Sequence, residues 1–405
     1  MPARNSTEPD RLKGLGLVRV LNEQAVLETI LHNGEVSRPM IARKTGLSLP
    51  TVVSLVESLE SIGLVREEGM ASGNVGRPAT LYSVDPRAGY VFAVHLGGSK
   101  VRAGITDLIG EVLAERVEPT ASASSSAIMD QLRRLYEELL GESQFDVRTT
   151  GAACVSVPGV WDPETDRISA AYNLPQLGDV YLQATIEQTL GLPVIIENDV
   201  NLAAIGESWK GRAREYDTFV SFFVGTGIGM GIVIDGEVYR GRRGAAGEIG
   251  LLPIGPDPFD PALRSHGPLE IAASEPSLLN RLRDSLSENS QSTLSLGADV
   301  AEIVKAYTTG DPTARHMLEE EARILAIGVA AVVAVLDPAI VILGGRAGAH
   351  PALAELVYQF AVQLVPWMPP VRASSLGDRA TFYGAVAIGL QAARENILAE
   401  KRFAT

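Results

Sequence analysis

The feature that most constrains this chain is a dense glycine run in its second half. It reads Val224-Gly225-Thr226-Gly227-Ile228-Gly229-Met230-Gly231, then Asp235-Gly236, then Gly241 through Gly244-Ala245-Ala246-Gly247-Glu248-Ile249-Gly250. Such a run belongs to strands joined by glycine-rich turns. The same pattern opens at Tyr90, where one strand runs to the Gly97-Gly98-Ser99-Lys100 turn and a second covers Val101 to Thr106. Gly151 to Val157 is a further strand that meets Pro158-Gly159, and Pro193 to Asp199 is a buried strand. The latter delivers Asn198 and Asp199 at its C-terminal end, where α/β folds place binding groups. Ile128 to Leu140 has helical spacing, and Ala121 to Ala127, made only of Ala and Ser, reads as a linker before it.

The first 88 residues carry a different pattern. Ala25, Val26, Ile30 and Leu31 fall at helical spacing, and Asn33-Gly34 stops that helix. Ser37, Arg38 and Pro39 place a capping hydroxyl and a proline at the start of a second helix that ends at Gly46. After the Gly46-Leu47-Ser48 turn, Pro50 opens a third helix carrying Val52, Val53, Leu55, Val56, Leu59 and Ile62. Two helices joined by a short glycine turn make a helix-turn-helix. Strands at Leu64 to Arg66 and Leu81 to Val84 then flank a flexible loop, which makes a wing. The expected DNA contacts are Ser37 and Arg38 on the second helix, and Ser48, Pro50, Thr51 and Ser54 where the third enters a major groove. Gly76-Arg77-Pro78 is the minor-groove insert.

Charge follows the same division. The net charge of −14 argues against nucleic acid when taken alone, but residues 1–88 carry ten basic and ten acidic side chains, and the remainder carries 25 and 39. A neutral module at the N-terminus can meet phosphates locally. The longest apolar stretch, Ile324 to Leu336, falls well short of the roughly 20 residues a bilayer requires. The N-terminus has charges where a signal peptide needs an apolar core, and Cys154 is the only cysteine. A cytoplasmic, membrane-free protein is expected.

The glycine run, taken with Pro158-Gly159, Asn173-Leu174-Pro175, Asn198-Asp199 with Asn201, Gly344-Gly345 and Gly384-Ala385, resembles the signature of the ROK family of bacterial sugar repressors and sugar kinases. The preceding helix-turn-helix is what the repressor branch carries, the N-acetylglucosamine- and xylose-repressor type. The resemblance implies residues 1–88 as a winged helix-turn-helix DNA-binding domain and residues 89–405 as an actin-like, ribonuclease H-like sugar-kinase fold of two α/β lobes. Sugar would lie in the cleft between the lobes, and the chain would form a homodimer or homotetramer. It also implies sugar contacts from Gly159, Asn198, Asp199, Glu248 and Glu270, with Asp199 at the position of the kinase base. Carboxylates suit this task because each accepts two hydroxyl protons. Gly97, Gly98, Ser99, Gly225, Thr226, Gly227, Gly344 and Gly345 match nucleotide loops.

Two departures bear on mechanism. His95 stands where the family's first phosphate loop has an aspartate that handles the metal of metal-ATP, and imidazole is a poor Mg²⁺ partner. Relatives place a zinc-binding histidine and three cysteines where this chain has Leu251, Pro261, Leu263 and Pro268, none of which can ligate zinc. No metal or cofactor is therefore expected, and Asp199 is a vestigial base. The resulting expectation is a non-catalytic DNA-binding regulator with a double-stranded operator and a sugar or sugar-phosphate effector. The alternatives are an ATP-dependent sugar kinase, and a regulator that has exchanged sugar sensing for a protein partner.

Overall fold

The computed structural model describes residues 8–70, 79–146, 149–169, 171–263, 266–287 and 292–400. Helices α1 (Glu8–Asn33), α2 (Arg38–Thr45) and α3 (Leu49–Ser61) close around fully buried Val26, Ile30, Ile41, Val52, Val56 and Leu59. Gly46, at φ 73°, supplies the left-handed residue that lets the chain leave α2 and enter α3. Strands β1 (Val36–Ser37), β2 (Val65–Met70) and β3 (Thr80–Val84) pair in the order β1-β3-β2 to complete this module. Two expectations change here. The first helix starts at Glu8, well before Ala25, and Ser37 occupies the N-cap of α2 without its hydroxyl accepting a hydrogen bond, while its backbone pairs with Leu81 in β1.

A 3₁₀ turn at Pro86–Ala88 leads into the first lobe. Its strands are β4 (Tyr90–Leu96), β5 (Lys100–Asp107), β6 (Val112–Pro119), β7 (Gly151–Val157), the hairpin β8 (Val160–Asp162) and β9 (Arg167–Ser169), and β10 (Val194–Asn198). Its helices are α4 (Ser125–Ser143), α5 (Leu182–Leu190) and α6 (Asp199–Trp209). The expected linker at Ala121 to Ala127 is cut short, since Ser124 accepts from the backbone N–H of Ala127 and starts α4.

The second lobe holds β11 (Phe219–Val224), β12 (Ile228–Ile234), β13 (Glu237–Val238), β14 (Val341–Gly344) and β15 (Val371–Ala373). Helices α7 (Pro268–Ala273), α8 (Glu275–Ser287), α9 (Val300–Thr308), α10 (Pro312–Leu336), α11 (Gly345–Gly348) and α12 (Pro351–Ala361) surround it, and α13 (Ala380–Glu400) returns to the first lobe. The apolar stretch from Ile324 to Leu336 is the C-terminal half of α10.

The two sheets repeat one layout. The first runs β10-β7-β4-β5-β6 and the second β15-β14-β11-β12-β13, each with an antiparallel meander on one side and two parallel strands on the other. Strand β4 is covered on both faces, which explains its unbroken apolar run. Tyr90, Phe92 and Val94 share a buried cluster with α4 and α5, whereas Val91 and Ala93 share one with α13. The architecture is the helix-turn-helix plus two-lobed α/β fold expected from the sequence.

Candidate functional site

In the N-terminal module, Ser48 caps α3 by accepting from the Thr51 N–H at 3.3 Å, and its Oγ lies 2.7 Å from the Thr51 hydroxyl. Val52, Leu55, Val56 and Leu59 bury one face of α3, so Ser48, Leu49, Pro50, Ser54 and Ser61 are left on the exposed side. Arg38 is turned inward instead. Its guanidinium sits 4.8 Å from the Tyr82 ring centroid and 3.5 Å from Glu60, so it ties α2 to α3 and β3. Helix α3 carries no cation, and the exposed charge beside its N-terminus comes from Arg43 and Lys44 in the last turn of α2. Sequence reasoning passed over both, although their place next to the Gly46 turn was legible. Gly76, Arg77 and Pro78 lie outside the described residues.

The second site is a cavity of about 690 Å³ between the lobes. Gly159, Asn198, Asp199, Glu248 and Glu270 all line it, contributed by four separate segments of the chain. Asn198 and Asp199 arrive together because β10 ends where α6 begins. Asn198 is the N-cap of α6: its Oδ1 accepts from the N–H groups of Val200 and Asn201 at 3.0 and 3.2 Å, and its Nδ2 donates to the Gly159 carbonyl at 2.9 Å. Most of its hydrogen-bonding capacity is thus structural. Glu248 is placed by Gly247, at φ 93°, whose Cα lies so close to the Met230 carbonyl that any Cβ would overlap it. Glu270, in the first turn of α7, accepts from the Ile228 N–H at 3.0 Å through Oε2.

Three carboxyls around one cavity cannot all ionise freely. Burial pushes Asp199 up to about 7, with the neighbouring Glu248 adding to the shift and the Val200 N–H opposing it. Burial also raises Glu248, helped by Glu270. Glu270 is raised by burial against the opposing Ile228 N–H and the His266 charge. Near neutrality the cluster therefore offers both proton acceptors and a carboxyl that can donate, which matches the two-way hydrogen bonding of a sugar hydroxyl.

The matched nucleotide loops separate. Thr226 and Gly227 line the cavity, whereas Gly97, Gly98, Ser99, Gly225, Gly344 and Gly345 stand outside its lining. Gly98 packs on Asn173, since a Cβ on it would sit 2.7 Å from the Asn173 Cβ. His95, on β4, is held neutral: burial lowers it to about 4, and Lys100 and Arg102 add to the effect. The one carboxylate that opposes this, Asp378, is occupied by Lys100 at 2.8 Å and Arg102 at 2.9 Å. Leu251 lines the cavity, while Pro261, Leu263 and Pro268 do not.

Among the lining residues that escaped the sequence reading, two form a contact across the cavity. Tyr172, from the segment after β9, places its ring 5.5 Å from that of His266, which precedes α7. The pair spans the lobes at the cavity. Its only sequence trace was an aromatic directly before Asn173-Leu174-Pro175 and a lone histidine in a proline-rich loop.

Comparison with known proteins agrees with this geometry. The ROK family pattern matches residues 91–392, and the IclR helix-turn-helix domain matches residues 24–69. A putative xylose repressor of Caldicellulosiruptor sp. (strain Rt8B.4) is 30% identical over 384 residues, spanning 92% of this chain and 96% of the relative. A solved ROK family transcriptional regulator, a homologue of the E. coli MLC protein, superposes with a TM-score of 0.78 at 22% identity over 95% of this chain and 98% of its own. A ROK family glucokinase from Streptomyces griseus, solved with glucose and AMPPNP, superposes with a TM-score of 0.61 at 27% identity over 75% of this chain and 99% of its own.

Proposed function

This chain belongs to the ROK family, and from that premise we propose that it is a DNA-binding repressor of carbohydrate genes whose effector is a sugar or sugar phosphate held in the Asp199 cavity. The reading is carried by one conjunction: a helix-turn-helix and a cavity ringed by Asp199, Glu248 and Glu270 in the same chain. It is supported by the likeness to a putative xylose repressor over 92% of this chain, and the likeness to a glucose-bound glucokinase points to an aldose as the class of effector. The carboxylates favour a neutral sugar over an acidic one at that end of the cavity. A homodimer or homotetramer would set two α3 helices into major grooves about 34 Å apart.

The effector is bound and not phosphorylated. Phosphoryl transfer depends on metal charge placed against the phosphates, and the neutral His95 imidazole, flanked by Lys100 and Arg102, supplies no anionic ligand for it. Calorimetric titration with D-xylose and D-glucose, run beside a coupled assay with Mg-ATP, tests the reading. The expected result is saturable binding of an aldose, lost in Asp199→Asn, with no turnover. Steady ATP-dependent phosphorylation would place the chain with the kinases.

A further inference from the structure

The cavity and the DNA-binding module lie at opposite ends of two crossing helices. Helix α6 starts at Asp199, on the cavity, and ends at Trp209, which lines a cleft of about 1250 Å³ between α1 and the ROK domain. Helix α13 starts beside Asp199, where Thr381 donates its hydroxyl to the Asp199 carbonyl at 3.1 Å. Thr381 is only 3% exposed.

At two glycines the crossing brings backbone against backbone. A Cβ on Gly206 would overlap the Ala380 carbonyl, and one on Gly384 would overlap the Leu202 carbonyl, so the two backbones are in direct contact. Ahead of α13, Asp378 is bound to Lys100 and Arg102, and Arg379 to Glu115, which fixes that end to β5 and β6. A helix of this length spans about 30 Å. At its far end Leu390, Ala393, Ile397 and Leu398 belong to the same buried cluster as Val26, Leu27 and Ile30 of α1. Arg394 donates to the Leu108 carbonyl and lies close enough to Glu28 to feel its charge.

We propose that Thr381 is a positioning residue that fastens Asp199 to α13, so that the state of the cavity is carried along α13 to the docked DNA-binding module. Close-packed backbone contacts shift as a unit and do not absorb displacement locally. The cleft lined by Leu27 and Leu31 on one side and Leu390 and Leu398 on the other gives the module room to move. The inference rests on the repressor reading for its purpose, and the experiment below needs neither sugar nor DNA. Failure here leaves that reading standing, and an absence of sugar binding leaves this result unaffected.

Hydrogen–deuterium exchange on the full chain at about pH 8, where the wild-type Asp199 carboxyl is ionised, provides the test, with Asp199→Asn as a fixed change of charge state at the cavity. In the wild-type background that substitution is expected to change exchange in α1, over residues 23–33, by about fivefold or more. In a Thr381→Val background the Asp199→Asn change in α1 disappears, and in a Thr381→Ser background, which keeps the hydroxyl, it returns. Should Thr381→Val fail to fold, Thr381→Ala makes the same comparison. An α1 signal untouched by Asp199→Asn overturns the proposal. So does one that persists at full size without the Thr381 hydroxyl, or one that changes equally in every helix.

Discussion

The Asn198 side-chain amide donates to the Gly159 carbonyl at 2.9 Å, joining the turn after β7 to the N-terminus of α6. One residue therefore fixes two walls of the cavity while its Oδ1 caps the helix. Asn198→Ala removes both functions and is expected to lower stability by about 1–2 kcal/mol. Asn198→Ser keeps a capping oxygen and loses only the Gly159 link, so it should recover most of that loss. Urea unfolding midpoints of the two variants decide the matter, and equal losses would show that capping is not the source.

The raised Asp199 value predicts a stability that falls as pH rises. The unfolded chain releases this proton in the ordinary carboxylate range and the folded chain holds it until about 7, so between those values the folded state carries the extra proton and loses stability with each step upward. Glu248 and Glu270, also raised, act in the same direction. Melting temperatures followed from pH 5 to pH 8, bounds set about the carboxylate and folded values, should decline in the wild type. The decline should be shallower in Asp199→Asn.

Gly247→Ala places a Cβ against the Met230 carbonyl at a backbone angle of φ 93°, which L-residues rarely adopt. We expect a destabilisation of at least about 1–3 kcal/mol together with loss of sugar binding, because Glu248 follows directly. Binding that survives with full affinity in a folded variant would show that Glu248 is positioned by other means.

Arg43→Ala and Lys44→Ala should weaken DNA binding on every sequence to a similar degree, and each should reduce the slope of log affinity against log salt by about 1. Ser54→Ala should instead act on chosen sequences only. A fluorescence anisotropy series across salt concentrations separates these outcomes.

The cavity was legible in part because one strand end and one family signature both lead to it. Adjacent Asn198-Asp199 at the end of an apolar strand pointed to a binding edge by themselves, whereas Glu248 and Glu270 came only through the family resemblance, and all four line the one cavity. What remained hidden depends on pairing across the fold. Ser37 holds the N-cap position that its place before Arg38-Pro39 indicates, but its pairing in β1 was hidden because β1 is only two residues long and its partner β3 lies far along the chain. Arg38 resembled a phosphate ligand until Tyr82 and Glu60 came to lie beside it. Tyr172 and His266 carry no shared motif, since their relation exists only once the lobes meet.

The course of α13 also sets an order of events during synthesis. The DNA-binding module leaves the ribosome well before Leu390 and Leu398, which face Leu27 and Ile30 across the junction. A nascent chain thus holds a folded reader before it has anything to dock against, as domains generally fold in turn from the N-terminus. Docking of that module against α13 waits until Leu398 has been made.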